Sequence, residues 1–102
     1  MPAKGKKLSP IHPGEVLKTV LDDAAITANA LALALRIPAN RLTEIVNGRR
    51  SISADTALRL ARYFGTSAQM WMNLQAKYDL EAAEDSLAGR IDQEVQPMRR
   101  AS

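Results

Sequence analysis

Between residues 27 and 50 two short helical patterns stand back to back, divided by a proline and closed by a glycine. Thr27 offers a hydroxyl N-cap to the first, residues 28–35, in which Leu31, Ala34 and Leu35 form one apolar stripe. Pro38 disfavours an α conformation at Ile37 and breaks the chain there, while its ring suits the first turn of a second helix. That second pattern, residues 39–47, turns Leu42, Ile45 and Val46 inward, and Gly48 stands where a left-handed residue commonly ends a helix. Two helices of about two turns each, joined this tightly, must cross at a steep angle.

The flanks read as helices as well. Pro13 is tolerated in a first turn, and Val16, Leu17, Val20 and Leu21 at helical spacing predict a helix over 13–23. Ser53 caps a fourth segment with Leu58, Ala61 and Phe64 on one face and Gly65 as its stop. Ser67 caps a fifth that runs through Trp71, Leu74 and Tyr78 to about residue 85. Beyond it Ile91 and Val95 fit half a strand or one helical turn. A chain of 102 residues suits one domain. With Tyr63, Phe64, Trp71 and Tyr78 as its whole aromatic content, the core must be aliphatic. The expected fold is therefore all-α, with five helices over residues 9–85, a disordered basic leader at 1–8 and a short C-terminal extension at 86–102 into which an acidic segment, 79–94, continues.

Several functions are excluded by what is missing. There is no cysteine and one histidine, His12, so disulfides, thiol nucleophiles, zinc fingers and histidine clusters all drop out. His12 has no convergent acid or nucleophile and is expected to pack or hydrogen-bond near the N-terminus. Glu81, Glu84 and Asp85 form the kind of cluster that successive turns of a polar helix produce routinely, and Trp71 between two methionines reads as a core anchor. No cofactor, metal site or catalytic residue is assigned, and an enzyme is not expected. The longest uncharged stretch, 24–35, is too short to span a bilayer, which points to a cytoplasmic protein with no membrane partner.

The net charge of +3 is too mild to identify a partner, but its distribution is uneven. From 36 to 62, Arg36, Arg41, Arg49, Arg50, Arg59 and Arg62 face only Glu44 and Asp55. From 79 to 94, Asp79, Glu81, Glu84, Asp85, Asp92 and Glu94 face Arg90 alone. A basic middle and an acidic rear imply two faces for two partners, unless both are ordinary solvated helix surfaces.

The basic middle coincides with the paired short helices. With Leu42, Ile45 and Val46 buried, the outward positions are Ala39, Asn40, Arg41, Thr43 and Glu44. Their chemistry reads base edges: Asn can pair with adenine, Arg with guanine, Glu can accept from cytosine N4, and Ala or Thr can meet a thymine methyl. Asn47, Arg49 and Arg50 just beyond, with Thr27, Asn29 and Arg36 on the preceding helix, are placed to hold the DNA backbone. Arg59 and Arg62 are more simply explained as solvating their own helix.

These residues carry a resemblance. Ile11-His12-Pro13-Gly14-Glu15, Asn29-Ala30-Leu31-Ala32, Pro38 with Arg41-Leu42, and Glu44 through Arg50 resemble HigA-type antitoxins, a branch of the Cro/repressor-like helix-turn-helix proteins. The match continues through residues 54–61 and 65–67 and ends with 71–75 and 78–80. The resemblance implies a homodimer that represses its own operon by binding operator DNA, together with a HigB-like mRNA endonuclease toxin of the RelE superfamily. By position it makes Ala39, Asn40, Arg41, Thr43 and Glu44 base-facing, and Thr27, Asn47 and Arg49 backbone clamps. Ala39 stands where relatives often carry Gln, and Arg36 where many have Gly; a positive φ at Arg36 would be strained by about 1–2 kcal/mol. Two other readings fit the same residues: a stand-alone phage-like repressor without a toxin, and a module that only neutralises a protein partner. The acidic segment 79–94 is expected to serve dimerisation or a basic toxin.

Overall fold

The computed structural model describes residues 9–99, all helix and connecting loop. The basic leader expected at 1–8 lies outside those residues. Six helices succeed one another: α1 (Pro13–Ala24), α2 (Ala28–Leu35), α3 (Ala39–Val46), α4 (Ala54–Phe64), α5 (Ala68–Leu87) and α6 (Arg90–Glu94).

Each of the first five begins where the sequence supplies a start signal. Thr27, Ser53 and Ser67 accept the backbone N–H groups of Ala30, Thr56 and Met70 at 3.1, 3.3 and 3.0 Å, which satisfies donors that the first turn leaves unpaired. Pro38 sits at the start of α3 with no side-chain cap. At α1 the cap is His12: its Nδ1 accepts the Gly14 N–H at 2.8 Å, and Glu15 Oε2 accepts the His12 N–H at 3.2 Å. This reciprocal pair is a capping box built on an imidazole. The ring is buried and meets Tyr78 of α5 edge-on, with centroids 4.8 Å apart. The packing and hydrogen-bonding role expected for His12 is thus what it performs.

The core joins all five helices. Leu17 and Leu21 of α1, Leu31, Ala32 and Leu35 of α2, Leu42 and Ile45 of α3, Ala57 and Leu60 of α4 and Trp71 of α5 are buried together with the loop residues Ile37 and Ile52. Fully burying a residue of the Leu or Ile type is worth about 1.5–3 kcal/mol, so most of the stability resides in this aliphatic cluster. The Trp71 indole N–H donates to Thr66 Oγ1 at 3.1 Å, which lets the largest core side chain be enclosed without an unpaired donor.

Two sequence expectations need correction. Leu58 is 63% exposed, and α4 buries Thr56, Ala57 and Leu60 instead, with Phe64 partly covered. Ala34 likewise faces solvent while Ala32 takes the buried position of α2. In both cases the apolar residue counted into the stripe belongs to the neighbouring helical row, a shift that periodicity resolves poorly in elements this short. Of the two alternatives open for Ile91 and Val95 the structure takes the helical turn, α6 at Arg90–Glu94, while α5 runs to Leu87, two residues past the expected end.

The packing of α1 on α3 is closest at Gly14. A Cβ built there would lie 1.9 Å from the Ile45 carbonyl oxygen and 3.0 Å from that of Val46, both backbone atoms that no rotamer change can move. Only hydrogen fits between the start of α1 and the end of α3. Gly14→Ala should therefore force the two helices apart and lower stability by about 3 kcal/mol, at the upper end of overpacking effects. Urea unfolding monitored by circular dichroism measures this, and a midpoint equal to that of the parent would contradict it.

Candidate nucleic-acid interface

The inward side of α3 is fixed by Leu42 and Ile45, both fully buried, so its opposite side must face solvent. Ala39, Asn40 and Thr43 are exposed there, and Arg41 and Glu44 are half-buried at its margins. Asn40, Thr43, Glu44 and Asn47 recur at helical spacing and form one polar row along the helix. The five residues expected to read bases are thus gathered on the outer side of one helix.

The loop after α3 is equally defined. Gly48, with φ +77°, donates its N–H to the Ile45 carbonyl at 3.0 Å, and the Arg49 N–H donates to the Glu44 carbonyl at 2.8 Å. This pair of bonds is a Schellman closure, which requires a left-handed residue at position 48. It carries Asn47, Arg49 and Arg50, all exposed, back over the C-terminal end of α3. Farther on, the Ile52 N–H donates to Gln75 Oε1 at 2.7 Å, and Gln75 Nε2 donates to Asp79 Oδ1 at 2.9 Å. Gln75 is a buried polar side chain with both ends of its amide satisfied, and it ties the interface loop to α5. Sequence reasoning misses this residue. Its signal is a polar side chain one turn beyond Trp71 on the same helix face.

The residues of α2 do not form one group. Thr27 and Asn29 are exposed at its N-terminus, and Thr27 already serves as the cap. Arg36 lies at the other end, roughly 13 Å along the helix axis at 1.5 Å per residue. Its φ of +62° places a non-glycine residue in the left-handed region, a conformation that costs about 1–2 kcal/mol and that Ala25 shares with φ +56°.

Charge partners divide the arginines. Arg59 donates from Nε to Asp55 at 2.7 Å and from Nη1 to the Leu35 carbonyl at 2.9 Å, so it seals the C-terminal end of α2 against α4. Arg50 Nε donates to Glu44 Oε1 at 2.7 Å. Among the described residues Arg36, Arg41, Arg49 and Arg62 have no carboxylate partner, which leaves their cations available to an external anion. Among the same residues no group of three or more His, Asp or Glu side chains is placed to hold a metal, and no helix is long and apolar enough to cross a membrane.

A short polar helix crossing a second one, flanked by unpaired arginines, is the arrangement by which two-helix motifs enter the major groove. Comparison with known proteins gives the same answer. Residues 17–71, more than half of the chain, match the family model described as Helix-turn-helix.

The chain belongs to the helix-turn-helix family. Its motif consists of α2, the turn at Arg36-Ile37-Pro38 and α3, with α1, α4 and α5 as the supporting helices. Virulence-associated protein I of Dichelobacter nodosus is 49% identical over 85 residues, which cover 82% of this chain and 79% of that protein. A solved HigA-family addiction module antidote protein from Coxiella burnetii superposes with a TM-score of 0.83 at 49% identity, over 89% of this chain and 100% of that one. The Pseudomonas aeruginosa antitoxin HigA, solved with the higBA promoter, gives 0.84 at 47% identity over 88% and 99%. Within the helix-turn-helix family this chain is therefore a HigA-type member, and its all-α architecture agrees with the expected class.

Proposed function

We propose that this protein is a sequence-specific DNA-binding antitoxin that represses its own toxin-antitoxin operon by occupying the operator, and that it acts by binding rather than by catalysis. The observation that carries the reading is the outer side of α3: a solvent-facing row of base-reading side chains on a helix whose inner side is locked into the core. The likeness to an antitoxin solved with its promoter supports it. Acting on DNA in the cytoplasm as a homodimer, it would set two copies of α3 into successive major grooves.

Ala39, Asn40, Arg41, Thr43 and Glu44 face the bases, and Asn47 and Arg49 hold phosphates on one side. Thr27 and Asn29 hold them on the other, where the N-terminal end of α2 adds its dipole to their polar groups. Arg36 meets the backbone separately from that pair. The division is measurable. Arg41→Ala should lower affinity for the operator by about tenfold while leaving nonspecific affinity nearly unchanged, consistent with loss of one base contact. Arg49→Ala should weaken binding to every duplex and reduce the salt dependence by about one counterion. Fluorescence-anisotropy titrations at several salt concentrations separate these outcomes, and equal losses on operator and random DNA for both variants would contradict the assignment.

We assign the toxin to the acidic C-terminal helices. The second half of α5 and α6 buries no side chain beyond Gln75 and exposes Glu84, Asp85, Asp92 and Glu94. RNA-cleaving toxins must bind a polyanion, so a HigB-like endonuclease of the RelE superfamily offers the complementary charge. Glu84→Lys combined with Asp92→Lys should slow association with the toxin encoded beside this gene by about tenfold at low salt. Stopped-flow kinetics measure the rate, and an unchanged rate would remove the acidic segment from the toxin contact.

A further inference from the structure

The Glu44–Arg50 ion pair is a feature of the interface that neither the core nor the helix crossing requires. Glu44 is the one acidic residue of α3, on a surface that faces a polyanion. Phosphates flanking a groove lie within the roughly 8 Å over which charges act at physiological salt, so an uncompensated carboxylate there opposes binding. Arg50 removes that opposition from 2.7 Å away. Both side chains are about half exposed, at 50% and 41%, and an exposed pair of this kind adds little to folding.

The geometry is nevertheless held from two sides. Through its backbone carbonyl Glu44 anchors the Arg49 N–H, which fixes where the next residue begins, and two residues later Ile52 is tied to Gln75. Residue 50 thus sits between two hydrogen-bonded anchors, and its side chain returns to the residue whose carbonyl started the turn. Arg50 spends its Nε on Glu44 Oε1, which leaves Oε2 with lone pairs for another donor. An amino group in the major groove, cytosine N4, is the donor that a carboxylate suits.

We infer that Arg50 is a positioning residue for base reading: it neutralises and aims the Glu44 carboxylate toward a cytosine N4 in the major groove, rather than serving as an independent phosphate clamp. The inference rests on the assignment of α3 to DNA recognition. The two residues then act as one unit, and Arg50 loses its importance once Glu44 is gone.

The test is a double-mutant cycle with Arg50→Ala, Glu44→Ala and the combination. Each variant is titrated against the duplex upstream of its own coding region, the single-base-pair variants of that duplex, and a scrambled duplex of equal length. Arg50→Ala should weaken the upstream duplex by about tenfold and flatten the preference for one C·G pair, the same pair whose preference Glu44→Ala abolishes. In the Glu44→Ala background the further loss should be less than about threefold. Arg50→Lys should restore general affinity without the base preference, because a lysine supplies charge but no fixed Nε donor. Effects that multiply independently, with base preference intact in Arg50→Ala, would overturn the inference and leave a phosphate clamp. Equal affinity of the unmodified protein for upstream and scrambled duplexes would instead overturn the assignment of α3 itself, and this inference with it. Circular dichroism melts of all variants identify any loss that arises from unfolding.

Discussion

The contact between Gly14 and the Ile45 carbonyl sets the position of α3, and everything the surface does depends on it. A short helix has little stability of its own and takes its orientation from what it packs against. Here the N-terminus of α1 passes so close to the C-terminal turn of α3 that backbone meets backbone with only a hydrogen between them. The His12–Glu15 capping box fixes the residues that make this approach, and the edge-on stack of His12 against Tyr78 transmits the constraint to α5. Leu42 and Ile45 then set the rotation of α3 about its axis, so which side chains reach outward is decided in the core.

From that anchor the interface extends through backbone chemistry. The Schellman closure at Gly48 directs Asn47, Arg49 and Arg50 over the end of α3, and Gln75 holds the far side of the loop through Ile52. Arg41 and Arg49 belong to this frame and Arg36 and Arg62 to a groove between α2 and α4, while the pairing of Arg50 with Glu44 and of Arg59 with Asp55 and Leu35 removes two arginines from the freely available charge. Formal charge counted along the sequence therefore overstates the cations available to phosphate, and geometry decides which of them act. The acidic residues from 79 to 94 belong to α5 and α6 and the basic ones from 36 to 62 to α3, α4 and the flanking loops, so the opposite charges counted along the chain lie on different elements of the fold.

Much of this is legible in the residues because local signals and tertiary structure agree. Thr27, Ser53 and Ser67 cap the helices that their positions predict, Gly48 and Gly65 adopt the left-handed conformations their places imply, and Pro38 separates the two motif helices. The family and its fold follow from motifs at fixed spacing. What stays hidden depends on partners distant in sequence. Nothing local to Gly14 announces Ile45, and nothing in Gln75 announces Ile52, since both contacts exist only once the helices have packed. Periodicity assigns Leu58 to the buried face of α4 because an exposed leucine and a buried one look alike in sequence, and tertiary packing alone chooses Ala57 and Leu60. The positive φ at Arg36 enters the sequence reading as a condition, and the structure meets it.

If α3 occupies the major groove of the operator, methylation of guanine N7 atoms, which line that groove, must interfere with binding. Methylation-interference footprinting on the DNA upstream of the protein's own coding region measures this. Interference is expected in two clusters about 10–10.5 bp apart or a multiple of that spacing. Binding that is indifferent to guanine methylation, or equally strong on a scrambled duplex, would contradict the placement of α3 in the groove.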